Sequence, residues 1–80
     1  NIVSNSQSVS NTGTGIHLSG DADNNIKASN RCSGNGLYGV NISASTCDKN
    51  LVHGNILLGN TTGALNDSGT NTTSADNIIA

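Results

Sequence analysis

The chain has 80 residues, 32% hydrophobic and 10% charged, with a net charge of -2, and its only aromatic side chain is Tyr38. A chain this short supports one domain, 1–80, and without large side chains it cannot build a thick globular core. Low charge and the absence of proline argue as strongly against ordinary disorder. Lys27, Arg31 and Lys49 stand far apart, so there is no footprint for nucleic acid or an anionic membrane, and no apolar run is long enough for membrane insertion.

Taken in order, the elements repeat. An Asn-aliphatic marker opens the chain at Asn1-Ile2 and returns at Asn25-Ile26, Asn50-Leu51 and Asn77-Ile78. Between markers lies a strand-like stretch, Gly15-Ile16-His17-Leu18, then Gly39-Val40-Asn41-Ile42, then Ala64-Leu65-Asn66-Asp67. Aligned on Asn11, Asn35 and Asn60, the repeat is 24 and then 25 residues. Ile16 and Leu18, or Val40 and Ile42, alternate with period two, which is the signature of extended strands, and glycine interrupts every window that a helix would need. A fixed period in the twenties with strand alternation predicts an all-β, single-chain parallel β-solenoid in which each repeat is one coil. The markers place the coils at about 1–24, 25–49 and 50–76, with a fourth starting at 77 and two extra residues between Asp67 and Asp76.

Coils stacked about 4.8 Å apart put like side chains above one another. Asn1, Asn25 and Asn50 are therefore expected to form one ladder of amides, and Asn11, Asn35 and Asn60 a second at a turn, although Asn is also a plain turn-former.

These repeats, through Asn1–Leu18, Asn25–Ile42 and Asn50–Leu65, resemble the Asn-rich repeats of pectin-lyase-like and NosD-like right-handed parallel β-helix proteins. The resemblance implies a parallel β-helix and an extracellular or cell-surface setting. It departs in the spacing after the first marker and at Asp67, where an inward aliphatic is expected. It says little about activity, because the fold carries lyases, hydrolases, epimerases, tailspikes and structural fibres.

Chemistry-bearing residues are sparse. Asp21, Asp23 and Asn25 alternate oxygen ligands, but a calcium loop starting at Asp21 needs Gly at its sixth and Glu at its twelfth position, where Ile26 and Cys32 stand. A solvated turn is the better reading, and no metal or other cofactor is expected. His17 and His53 have no second His or Cys at ligand spacing; His53 shares a column with Ser4 and Ala28 and is expected to be partly buried. Asp23 and Asp48 fall on adjacent coils, but no aromatic platform or basic cluster accompanies them, so the balance leans away from an enzyme. Cys32 and Cys47 flank the Leu37–Ser43 strand, and an even count favours a disulfide, with free buried thiols and an interchain bridge as the alternatives. Asn41, Asn60, Asn66 and Asn71 head N-glycosylation patterns, which a chain so rich in Asn, Ser and Thr produces by chance.

Without an initiator Met and opening inside a repeat, the sequence reads as a processed or excised chain. Its end coils carry no plug and few charges. A solenoid with open ends pairs with more coils, so the leading expectation is a homo-oligomer that stacks end to end into an extracellular filament or sheath, with Ile2, Ile78 and Ile79 at the junction. The alternative is a segment of a larger β-helix that binds or cleaves polysaccharide.

Overall fold

The computed structural model describes residues 1–79 and shows stacked parallel coils, with no helix among them. Strands β1 (Ile2–Ser4), β3 (Ile26–Ala28), β5 (Leu51–His53) and β8 (Thr73–Ala75) form one sheet in that order. A second face holds β6 (Ile56–Leu57) and β9 (Ile78–Ile79), continued upward by single bridges from Ile56 to Arg31 and from Arg31 to Gln7. The third face is β2 (Ile16–Leu18), β4 (Tyr38–Ile42) and β7 (Gly63–Asp67). All pairings are parallel, so each coil visits three faces before stacking on its predecessor.

The corners explain why this sequence folds in this way. Asn5, Ser29 and Asp76, Ser10, and Asn24, Lys49 and Asn71 all have φ between 50° and 57°, and Gly34, Gly54 and Gly59 stand in the same columns at about 65°. This left-handed conformation turns the strand and is tolerated best by Gly, Asn and Asp. In nearly every case the next residue is an inward-facing Asn.

Inside, the core is one thin stack. Leu18, Cys32, Val40, Ile42, Cys47, Val52 and Leu57 are all buried. The pairing of Ile2 with Ile26 and Leu51 follows the sequence columns, but these residues face outward. The inward column is the next one, Val3–Lys27–Val52, and it places a lysine in the core at 5% exposure.

The coil boundaries also differ from the sequence expectation. Leu51 pairs with Thr73 and Ile56 with Ile78, an offset of 22 residues where the earlier coils have 24 and 25. The Asn77-Ile78 marker therefore stacks on Asn55-Ile56 and does not open a new coil beneath Asn50. The third coil is shortened, not lengthened. All the variation falls at one corner, which runs through Ser19–Ala22 in the first coil and Ser43–Cys47 in the second but only Ser68 and Gly69 in the third. Asp67, in the inward Leu18–Ile42 column, lies at the exposed end of its stack; its Oδ1 accepts hydrogen bonds from Gly69 N–H and the Thr72 hydroxyl, both at 3.0 Å.

Candidate functional surfaces

Three amide ladders run along the solenoid, one at each corner. At the first, Asn25 N–H and Nδ2 both donate to Asn50 Oδ1, at 2.9 and 3.0 Å. At the third, Asn11 donates in the same way to Asn35, and Asn35 to Asn60. Asn1 adds no side-chain bond; its carbonyl accepts from Ile26 N–H. The ladder at the second corner is one that sequence reasoning missed. Asn30 donates N–H and Nδ2 to Asn55 Oδ1, Asn55 donates both to Asn77 Oδ1, and Ser6 N–H caps the top by donating to Asn30 Oδ1.

The second amide hydrogen of each Asn reaches a backbone carbonyl on the coil above, from Asn30 to Val3, Asn55 to Lys27 and Asn77 to Val52. At the corner the Asn N–H leaves the backbone pairing and the carbonyl above keeps a free lone pair, and Asn is the short side chain that supplies an acceptor and two donors at once. Among the described residues no buried side-chain N or O is left without a partner. The signal was present in the five-residue spacing of Asn25, Asn30 and Asn35, repeated at Asn50, Asn55 and Asn60.

The cysteines are not bridged. Cys32 lies in the inward Ser8–Leu57 column of the second face, Cys47 sits at the variable corner, and both are buried free thiols. Burial raises the Cys32 thiol above its ordinary pKa of 9.0 and keeps it protonated and unreactive. Reductant is therefore expected to leave the melting temperature unchanged, and a thiol reagent should label both cysteines only on unfolding; a reductant-sensitive melt would contradict the free-thiol assignment.

The remaining candidates are dispersed. His53 is exposed, not partly buried, because its column faces outward; its Nε2 lies 3.1 Å from Asp76 Oδ2. His17 Nε2 lies 2.9 Å from Ser43 Oγ, on another face. Asp23 Oδ1 accepts the Asp48 N–H at 2.9 Å, Asn25 is committed to its ladder, and Asp21 is exposed, so Asp21, Asp23 and Asn25 do not converge. No cluster of His, Cys, Asp or Glu suited to a metal occurs among the described residues. Of the glycosylation patterns, Asn60 is buried in its ladder, Asn66 Nδ2 donates to Asn41 Oδ1 along the third face, and Asn71 is exposed at a corner.

Two surface features have shape. A groove of about 410 Å³ crosses the coils between the first and second faces, lined in part by Asn5, Gln7, Ser29, Arg31, Gly54 and Ile56. A hollow of about 200 Å³ on the lowest coil is rimmed by Leu65, Ala75, Asn77 and Ile79. Ile79 belongs to the inward Cys32–Leu57 column yet is 62% exposed, because no described coil covers it. Ile2 and Ile78, the other expected junction residues, stand on outward columns and are exposed sideways. Comparisons with protein-family models, with curated proteins and with solved structures find no match to this chain.

Proposed function

We propose that the chain is a structural β-solenoid subunit that stacks end to end on further copies of itself, forming an extracellular filament or sheath. The observation that carries this reading is the lower face, where core-column side chains, Ile79 above all, meet solvent around a hollow instead of a polar cap. The ladders add direction. Each ladder Asn donates its N–H and one Nδ2 hydrogen downward to an Oδ1 on the next coil, and its other Nδ2 hydrogen upward to a backbone carbonyl, so the upper and lower faces carry different arrangements of donors and acceptors. Identical faces do not complement one another, whereas head-to-tail contacts do, and such contacts propagate.

Light scattering and electron microscopy of the purified chain are expected to show elongated particles well above the monomer mass. Ile79→Lys, which places a charge in the junction, should return the chain to monomers with unchanged β-sheet circular dichroism. A wild-type chain that stays monomeric at high concentration would remove this reading.

The groove favours a second reading, a segment of a polysaccharide-binding solenoid, since its Asn, Gln and Ser side chains and the Arg31 guanidinium suit hydroxyls and acidic groups. Oligosaccharide-induced NMR shifts confined to Gln7, Ser29 and Arg31, and lost in Arg31→Ala, would support it.

A further inference from the structure

We propose that Asn35-Gly36 is a latent self-modification site: locked while the third ladder is closed, it converts to aspartate or isoaspartate when that ladder opens, and the product cannot re-enter the coil. This is the only Asn-Gly step in the chain, and every other ladder Asn is followed by Ile, Leu, Arg or Thr. The architecture demands both residues. Asn35 is the middle rung between Asn11 and Asn60, and a Cβ at Gly36 would run into the Thr12 carbonyl oxygen on the coil above. These contacts join coils within one chain, so the site is the same with or without stacking between copies.

The chemistry needs only water. The Gly36 nitrogen bonds to Asn35 Cγ and gives its proton to the departing amide, the Cγ–Nδ2 bond breaks, and ammonia leaves behind a five-membered succinimide. Water then opens the ring at one of its two carbonyls, which yields aspartate or isoaspartate. A side chain on the following residue obstructs the attack, and glycine has none.

The closed ladder blocks each part of this reaction. The nucleophile is occupied, since Gly36 N–H donates to the Asn11 carbonyl at 2.8 Å. The leaving group is held twice, because Asn35 Nδ2 donates to the Ser8 carbonyl at 3.0 Å and to Asn60 Oδ1 at 2.9 Å. Asn35 N–H and Nδ2 share Asn60 Oδ1 as their acceptor, so the side-chain amide lies back beside its own N–H and away from the Gly36 nitrogen. Asn11 N–H and Nδ2 do polarise the Asn35 side-chain carbonyl toward attack, but with the nucleophile pinned that activation is idle. Asn35 is also fully buried, which keeps out the water that would open the ring.

Conversion is a one-way exit. An aspartate has no Nδ2 to reach Ser8 and Asn60, and its carboxylate would face Asn60 Oδ1, acceptor against acceptor, away from water. An isoaspartate inserts an extra carbon into the backbone immediately before Gly36, where the Thr12 carbonyl leaves no room. The site therefore records whether a chain has spent time open.

The test incubates the full chain at mildly alkaline pH, native and in urea, and follows the Asn side chains by peptide mass spectrometry together with the ammonia released. In urea, Asn35 is expected to convert before any other Asn. In the native chain it should convert at least about a hundredfold more slowly, because only the open fraction reacts. Returned to buffer, unconverted molecules should regain β-sheet circular dichroism and converted ones should not. Asn35→Asp, made directly, should likewise fail to fold, whereas Asn66→Asp on the half-exposed third face should fold. Native conversion as fast as that in urea, another Asn converting first in urea, or a converted chain that refolds would overturn the proposal.

Discussion

Replacing Asn55 by Leu is expected to cost about 3–5 kcal/mol and to leave the chain largely unfolded at room temperature. Asn55 is fully buried. Its Oδ1 accepts from Asn30 N–H and Nδ2, at 2.9 and 3.2 Å, and its Nδ2 donates to the Lys27 carbonyl at 2.8 Å. Leucine has a similar volume but supplies none of these bonds, so the Asn30 N–H is stranded away from water, while the Lys27 C=O and the Asn77 Oδ1 each lose a donor. A stranded backbone group costs about 1–3 kcal/mol, and domains this small have only a few kcal/mol in reserve. The matched control is Asn66→Ala, which removes an amide bond to Asn41 on the half-exposed third face and should cost no more than about 1 kcal/mol. Denaturant melts of the two variants measure the contrast. Equal losses would mean that the ladders act as ordinary surface hydrogen bonds.

Gly36→Ala is expected to cost about 3 kcal/mol. A Cβ at this position would run into the Thr12 carbonyl oxygen on the coil above and stand 2.9 Å from its carbonyl carbon. The obstacle is backbone that forms part of the corner: Gly36 N–H donates to the Asn11 carbonyl at 2.8 Å, and Asn11 is itself held by Asn35. Relief requires the coils to part, which lengthens the whole third ladder. Gly13→Ala is the counterpart, because nothing lies within 4 Å of its Cβ position and its φ is not positive. That change should be neutral or stabilise by up to about 1 kcal/mol through the unfolded chain. A thermal melt that ranks the two variants the other way would contradict the spacing of the coils at this corner.

The alignment of Ile2 with Ile26 and Leu51, of Ile16 with Val40 and Leu65, and of Asn11 with Asn35 and Asn60 was legible because stacked coils force identical positions into register. What the pattern could not reveal was which side of a short strand faces inward. Period two groups Val3, Lys27 and Val52 as readily as it separates them from Ile2, Ile26 and Leu51, and the chain uses the aliphatic set outside and a lysine inside. The third coil was misread for a related reason. Asn followed by an aliphatic residue occurs at two different corners, Asn50-Leu51 and Asn55-Ile56, so the 27-residue step to Asn77-Ile78 is the 22-residue coil offset plus one five-residue step between corners. The disulfide expectation failed because a count of two cysteines carries no geometry, and the pair lies on different parts of the coil. Function was hardest to read because the polar residues that would normally mark a site are consumed by the corners.

The most direct test of the architecture is an NMR measurement of scalar couplings across hydrogen bonds, from backbone nitrogens to the Asn side-chain carbonyl carbons that receive them. The fold described here predicts couplings from Asn30 to Asn55, from Asn55 to Asn77 and from Asn25 to Asn50. A coupling from Asn50 to Asn77, the partner that the simple repeat would choose, or the absence of any Asn-to-Asn coupling, would contradict the ladders and the solenoid built on them.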